Sequence, residues 1–229
     1  MSARRSEVQH VIVPGRHHLL TRFQASYLRG LLAGDAHDDA GAEIMAAPDA
    51  VVVWAVTSAN QAGTRRNPFP AHRREAAIEI LAHVEDLPSL VVPVVDVAPT
   101  PRFAEITLKE IAYALTSGIL PAPATTVVAT STPQVAEMYR TLGYRIAPME
   151  HAHPDAPRTP WELLDLLAAG SDAWRADAHP ASIDIIDRYG LAASATAIAA
   201  DPVIGDDGGL TQTRDYRTYS RSFEQAADR

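Results

Sequence analysis

The residues best suited to chemistry lie in a polar segment at 57–74, which reads TSANQAGTRRNPFPAHRR. The segment follows an apolar run at 51–56 and leads into a stretch with the pattern of an amphipathic helix. A strand that opens into a polar loop and then a helix is a common phosphate-binding arrangement, because the loop and the helix N-terminus present backbone N–H groups. The segment therefore predicts a ligand-binding loop. Its hydrogen-bonding side chains include Ser58, Asn60, Thr64, Asn67 and Arg74.

A second group of candidates, Gly15, Arg16, His17 and His18, follows the first apolar run at 8–13. The guanidinium fork of an arginine matches the oxygens of a phosphate, so Arg16 is expected to contact one. The two histidines allow two interpretations. One of them contacts phosphate, since ligands of such folds lie at strand ends, or both are loop histidines without a special role.

Apolar runs that alternate with helix-like stretches indicate the scaffold that would position these residues. The pattern is typical of βαβ units, so we expect an α/β doubly wound parallel sheet in one domain at 8–190. Pro93 indicates an edge strand or a bulge. Residues 191–229 are expected to form a tail or arm that packs on the domain, or to be disordered. Strands are expected at 8–13, 51–56, 90–95, 125–129 and 144–147, and helices at 23–33, 73–83, 106–115, 133–142, 161–169 and 182–189.

Composition limits the classes of function. A chain of 229 residues, 47% of them hydrophobic, can bury one sizeable core. The net charge of -8 argues against a general nucleic-acid binder, which would carry a basic face. The absence of cysteine excludes disulfides, thiol nucleophiles and thiolate metal sites. No stretch has the pattern of a signal peptide or a membrane span, so we expect a cytoplasmic protein without a membrane partner.

The polar segment resembles a loop of a known enzyme family. Archaeal-type nicotinamide-mononucleotide adenylyltransferases carry the motif S-A-x-x-S-H-T-x-x-N-P-F-T-A-x-E-R after their second strand. The resemblance covers roughly 8–189, and it implies a Rossmann-like doubly wound parallel sheet of the nucleotidylyltransferase (HxGH) type. The matching residues at the same spacing are Ser58, Ala59, Thr64, Asn67, Pro68, Phe69, Ala71 and Arg74.

The first phosphate motif of that family is altered in this chain. Family members continue the first strand with G-R and then a motif that ends in histidine. Aligning Gly15 and Arg16 with that pair places Thr21 and Gln24 at the first and last positions of the motif. A shifted register uses His18 and Thr21 instead. A glutamine amide donates hydrogen bonds but cannot carry the positive charge of a histidine.

The resemblance also implies contacts further along the chain. The sequence VVATSTP is similar to the family's V-Y-S-G-N-P, with Thr132 in place of asparagine. Phe103 falls near a family tryptophan that stacks on the nicotinamide ring, although an aromatic residue at helical spacing is more often part of the core. The last family motif, S-x-T-x-x-R, has leucine here in place of its arginine. These motifs add Asp96, Phe103, Ser131, Thr132, Arg158 and Thr159 to the candidate contacts.

The resemblance implies a nucleotidyltransferase. Such an enzyme transfers a nucleoside monophosphate from ATP or CTP to a small phosphate or phosphonate acceptor and releases pyrophosphate. Mg²⁺ accompanies the triphosphate, and no protein metal ligand is predicted. Family members are commonly oligomeric, so a homo-oligomer is expected. Two alternatives stay open, a divergent nicotinamide-mononucleotide adenylyltransferase of NAD synthesis and a nucleotide-binding protein without catalysis.

Overall fold

The computed structural model describes residues 7–97, 100–115, 120–150 and 158–200, together with the backbone of two short strands beyond them. Strands and helices alternate through most of this length. The strands are β1 (Val8–Gly15), β2 (Ala46–Val56), β3 (Ser89–Pro93), β4 (Thr126–Thr130), β5 (Arg145–Pro148), β6 (Val203–Ile204) and β7 (Leu210–Thr211). The helices are α1 (Arg22–Ala33), α2 (Ala71–Val84), α3 (Phe103–Ala114), α4 (Pro133–Arg140), α5 (Pro160–Ala168), α6 (Pro180–Arg188) and α7 (Leu191–Ala200).

Five strands form a parallel sheet in the order β3-β2-β1-β4-β5. Ile12 at the centre of β1 pairs with Val53 on one side and with Val128 on the other. The order reverses direction between β1 and β4, which makes the carboxyl ends of these two strands the switch point of the sheet. The predicted α/β fold with a Rossmann-like parallel sheet is confirmed, and its assignment to the HxGH type stays a prediction.

The sheet is buried on both faces, which explains why its strands are continuous apolar runs. Val11 and Val13 pack on one face with residues of α1 and α2, whereas Ile12 packs on the other face with residues of α3 and α4. Neighbouring residues of a strand point to opposite faces, so both sets must be apolar. The run at 51–56 has this character because Val52 and Trp54 pack on the first face, whereas Val53 and Ala55 pack on the second.

The C-terminal helices form a third apolar cluster beside the sheet. Leu163, Leu167, Trp174 and Ile186 are buried in it. Leu19, from the loop after β1, and Phe69, from the loop after β2, are buried in the same cluster. The cluster therefore fixes the two loops that carry most of the candidate site residues.

Residues beyond 190 begin as an ordered helix. Ala195 of α7 is buried in the C-terminal cluster, and the guanidinium of Arg65 donates hydrogen bonds to the carbonyl oxygens of Ile198 and Ala199. The first part of the expected tail thus packs on the domain and on the loop after β2. Most of 201–229 lies outside the described residues.

The observed bounds differ from the predicted ones mainly at β2. This strand begins at Ala46, five positions before the apolar run. The sequence did not indicate the earlier start, because the first residues of the strand are partly exposed and lack an apolar pattern. Pro93 ends β3, which is an edge strand as its proline indicated. In the described part of the chain, no helix combines the length and apolarity needed to cross a membrane.

Candidate functional site

A cleft opens at the switch point of the sheet, above the carboxyl ends of β1 and β4. Its volume is about 70 Å³, which is room for about five water molecules at 10–15 Å³ each. A group of phosphate size fits this space, and the rest of a nucleotide would have to extend beyond it. The lining residues are Val13, Pro14, Gly15, Arg16, His17, His18, Leu19, Gln24, Thr130, Ser131, Thr132, Met149, Glu150, Pro160, Trp161 and Leu164.

The cleft brings together some of the predicted site residues and leaves others out. Gly15, Arg16, His17, His18, Gln24, Ser131 and Thr132 line it. The remaining candidates, four of which are in the loop after β2, are not among the lining residues. They are Thr21, Ser58, Asn60, Thr64, Asn67, Arg74, Asp96, Phe103, Arg158 and Thr159.

Arg16 gives the cleft its positive charge. Its guanidinium lies over the ring of Trp161, with 5.2 Å from Cζ to the ring centroid. Burial, followed by repulsion from Arg66, lowers the pKa of Arg16 to about 10, with a smaller effect of Arg74, while Asp96 opposes the shift. Among the described residues, no carboxylate forms a salt bridge with Arg16. Like charges that gather in this way favour an anionic ligand.

Helix N-termini add to this potential. Gln24 in the first turn of α1, Thr132 at the N-cap of α4 and Trp161 in the first turn of α5 all line the cleft. The N-terminus of a helix carries partial positive charge, and in α1 and α5 the capping threonines accept the N–H groups of Gln24 and Glu162. The cleft therefore has the features of an anion site built from backbone and side chains together.

Arg74 is buried, with 1% of its surface exposed, and it fastens two loops together. Its Nη1 donates hydrogen bonds of 2.8 Å to the carbonyl oxygens of Arg16 and Thr57, and its Nη2 donates one of 2.9 Å to the carbonyl oxygen of Ser58. The Nε atom has no hydrogen-bond partner. Burial lowers the pKa of Arg74 to about 10. This predicted phosphate contact thus positions the backbone of the loop that carries Arg16.

The other matched polar residues of the loop after β2 brace the loop itself. The backbone N–H of Asn67 donates to Thr64 Oγ1, and its Nδ2 donates to Gln61 Oε1. Ser58 is buried and has a left-handed backbone with φ of 54°. Asn60 Oδ1 accepts the backbone N–H of Asp96, so this pair joins the loops after β2 and β3. The polar residues of this segment that match the family motif therefore stabilise the conformation of the loop.

His17 turns back into the sheet. Its backbone is left-handed, with φ of 53°, and its Nε2 lies 3.0 Å from the carbonyl oxygen of Val13. The ring packs edge-on against Trp54 and covers Gly15, where an added Cβ would lie 3.0 Å from the His17 ring. Burial lowers the pKa of His17 to about 4, so the ring is neutral at physiological pH. Glycine at position 15 leaves the space for this ring.

His18 is buried among apolar rings. It packs edge-on against Phe69 and Trp161, and its Nε2 lies 3.4 Å from Asn67 Oδ1. An amide oxygen accepts, so Nε2 carries the proton and Nδ1, which has no partner, presents a lone pair. Burial, followed by repulsion from Arg74, lowers the pKa of His18 to about 3. In this state the buried Nδ1 of His18 is a hydrogen-bond acceptor without a donor.

The altered motif at Thr21 and Gln24 forms a capping box at the start of α1. Thr21 Oγ1 accepts the backbone N–H of Gln24, and Gln24 Oε1 accepts the backbone N–H of Thr21. This arrangement orients the Gln24 amide, whose NH₂ group faces the carboxyl group of Glu150. Thr21 and Gln24 therefore stabilise the first turn of α1.

The last motif forms a second capping box. Thr159 Oγ1 accepts the backbone N–H of Glu162, and the Glu162 carboxylate accepts the backbone N–H of Thr159. Arg158 forms a salt bridge of 3.1 Å with Asp177. These contacts fix the start of α5, which carries Trp161 to the cleft. Phe103, the predicted stacking platform, packs against the core face formed by α3 and α4.

Sequence reasoning missed Glu150 and Trp161 as cleft residues. Glu150 lies two residues after the end of β5, only 2% of its surface is exposed, and burial raises its pKa to about 7. The position of Glu150 after an apolar strand could have indicated its place in the cleft, because the carboxyl ends of parallel strands lie at one edge of the sheet. In the described ranges, no group of three or more histidine, aspartate or glutamate side chains could hold a metal ion.

Comparison with models of known protein families found no match, and comparison with curated proteins found none either. The interpretation of the cleft therefore depends on its own geometry and on the motifs quoted above.

The buried guanidinium predicts a large effect of Arg74→Met on stability. The variant keeps most of the side-chain volume but leaves three carbonyl oxygens without their donor, so we expect the free energy of unfolding to fall by about 3–5 kcal/mol. Urea unfolding measures this change. Arg188→Met, which removes a surface pair with Asp184, is the control and should cost about 0–1 kcal/mol. Equal losses in the two variants would contradict the structural role of Arg74.

The two buried histidines predict a pH dependence of stability. Their pKa values are about 4 and 3 in the folded chain and near 6.5 when unfolded, so the unfolded chain binds more protons as pH falls below 6.5. The free energy of unfolding should therefore fall from about pH 7 to about pH 5. Glu150 opposes this trend, because its raised pKa lets the folded chain hold a proton.

Urea unfolding of a His17→Gln, His18→Gln variant tests that assignment. The variant lacks both groups that favour the unfolded chain at low pH, so its stability should depend less steeply on pH than that of the wild type. A variant with the wild-type slope would show that other groups cause the dependence.

Proposed function

We propose that this chain is a nucleotidyltransferase that transfers a nucleoside monophosphate from ATP or CTP to a small phosphate or phosphonate acceptor. The observation that carries the proposal is the cleft at the switch point, with Arg16 unpaired by any described carboxylate and three helix N-termini at its walls. The carboxyl edge at the switch point is where α/β sheets bind nucleotides. The resemblance of the loop after β2 to the adenylyltransferase loop supports the same ligand class.

The reaction itself requires little covalent chemistry from the protein. An oxygen of the acceptor phosphate or phosphonate attacks the α-phosphorus, the bond to the bridging oxygen breaks, and pyrophosphate leaves. Catalysis then depends on alignment and on stabilising the charge of the transferring group. Arg16 supplies that charge from the protein. Mg²⁺ is part of the substrate complex and would be held largely by the phosphate oxygens.

Trp161 supports a nucleotide with a planar base. It lies at the cleft, and 36% of its surface is exposed, so one part of the indole is open to a ligand. Aromatic rings that are half-exposed beside an anion site offer a stacking surface to a base. Arg16 already covers part of this ring and would connect the base platform to the phosphates.

A second candidate is a nucleotide-binding protein without catalysis. The low pKa values of His17 and His18 favour it, because neither ring brings a positive charge to the cleft. Binding would still use Arg16 and the helix N-termini, but the transferring group would lack a second cation. A divergent nicotinamide-mononucleotide adenylyltransferase is the third outcome that the same experiment can reveal.

The experiment is a panel of nucleoside triphosphates and acceptors, with pyrophosphate release as the readout and triphosphate binding measured in parallel. Turnover with a phosphonate or phosphate acceptor other than nicotinamide mononucleotide supports the proposal. Turnover with ATP and nicotinamide mononucleotide supports the NAD enzyme. Triphosphate binding without any turnover supports the non-catalytic protein, and the absence of binding contradicts all three.

Arg16→Ala should weaken triphosphate binding by about 10–100-fold, since a hydrogen bond to a charged group contributes about 1.5–3 kcal/mol. Calorimetric titration with ATP and CTP measures the dissociation constant. Arg188→Ala on α6 removes a surface cation away from the cleft and should bind like the wild type. Unchanged affinity in Arg16→Ala would contradict the assignment of the cleft.

A further inference from the structure

Glu150 is a buried acid in the wall of the cleft that the proposed transfer step does not use. Its side chain lines the cleft from the carboxyl end of β5, and 2% of its surface is exposed. Its backbone has a φ of 50°, a left-handed conformation that is uncommon for residues other than glycine. Such a carboxyl group requires partners, because burial without them is costly.

Two side chains of the protein form hydrogen bonds with the Glu150 carboxyl group. Ser131 and Gln24 face it with hydrogen-bonding groups, and the capping box leaves the Gln24 amide NH₂ free to do so. The Oε1 atom, however, is buried and has no hydrogen-bond partner. A buried carboxylate oxygen without a donor is rarely left so in a folded protein. This unpaired oxygen points to a donor that arrives with the ligand.

Arg16 and Glu150 bring a cation and a carboxyl group to the walls of one small cleft. β1 and β5 are separated by β4, so their carboxyl ends lie two strand spacings apart, on the order of 10 Å. Both side chains are long enough to reduce that separation. A ligand that is anionic at one end and cationic a few bonds away could therefore pair with both Arg16 and Glu150.

We propose that Glu150 selects the acceptor, by binding an ammonium group that a small phosphonate or phosphate acceptor carries opposite its anionic end. The inference rests on the proposed function, since it names the substrate class of the same cleft. Arg16, which contacts the transferring phosphoryl group in the proposed reaction, also binds the adjacent anionic end of the acceptor. Oε1 of Glu150 accepts a hydrogen bond from the ammonium group. The raised pKa of Glu150 supports this role, because a cation beside the carboxyl group restores its ionised form.

A hydrogen-bond donor to Glu150 could also come from a second source, the exocyclic amine of a nucleobase. Adenine and cytosine both carry such a group. The acceptor is favoured because the cleft is of phosphate size and Glu150 lies inside it, whereas the half-exposed Trp161 offers the base a place at the cleft mouth. The experiment separates these two sources.

Calorimetric titration with a matched pair of probes tests the proposal. 2-Aminoethylphosphonate and propylphosphonate have the same length and differ in the terminal group, ammonium or methyl. The wild-type protein should bind the amino compound about 10–100-fold more tightly. In Glu150→Gln, which keeps the shape of the side chain, this preference should disappear. Glu79→Gln, which changes an exposed carboxylate of α2, should keep the wild-type preference.

Thermal unfolding of Glu150→Gln shows whether the variant is folded, and Glu150→Asp, which keeps the charge, should retain part of the preference. A Glu150→Gln protein that keeps the full preference for the amino compound would overturn the proposal. So would a wild type that binds the two phosphonates equally. A variant that changes the ratio of CTP to UTP binding and leaves the phosphonate ratio intact would assign Glu150 to the base instead.

Failure of this inference is distinguishable from failure of the proposed function. If Glu150 has no effect on acceptor choice while the wild type still binds a nucleoside triphosphate and releases pyrophosphate, the inference alone is wrong. If the wild type binds no nucleoside triphosphate, the proposed function fails, and the inference fails with it.

Discussion

The structure of the candidate site depends on one buried cation. Arg74 lies below the carboxyl edge of the sheet and donates hydrogen bonds to carbonyl oxygens from two loops, those after β1 and β2. A buried guanidinium is costly unless its donors are used. Here three backbone carbonyl oxygens accept hydrogen bonds from Nη1 and Nη2, and Nε alone has no partner. This single side chain therefore holds Arg16 at a fixed place above β1. It also raises the positive potential around Arg16, which a bound anion would relieve.

Several other contacts serve the same purpose of fixing loops at the edge of the sheet. His17 fills the space over Gly15, Asn67 braces the loop after β2, and Arg65 ties that loop to the end of α7. The two capping boxes set where α1 and α5 begin. What is left at the centre is a small cleft whose polar groups are few and specific. Arg16 faces it with a cation, Glu150 with a carboxyl group, and the helix N-termini with partial positive charge.

The sequence was sufficient to predict the parallel sheet, because strands buried on both faces are continuous apolar runs separated by amphipathic helices. It was also sufficient to place Arg16 and Ser131 at the carboxyl edge. The roles within the site were harder to predict. Arg74 and Asn67 match a phosphate-binding loop by spacing, yet their donors are used by the loop itself. Spacing along the chain does not reveal which neighbour a polar side chain will meet.

We propose that the cleft between β1 and β4 is a phosphate site organised around Arg16. A crystal structure of the protein with a non-hydrolysable nucleoside triphosphate is the decisive measurement. Phosphate oxygens should lie within hydrogen-bonding distance of the Arg16 guanidinium, at the N-termini of the helices that line the cleft. A triphosphate bound elsewhere, with Arg16 still lying on Trp161 and no anion beside it, would contradict the proposal.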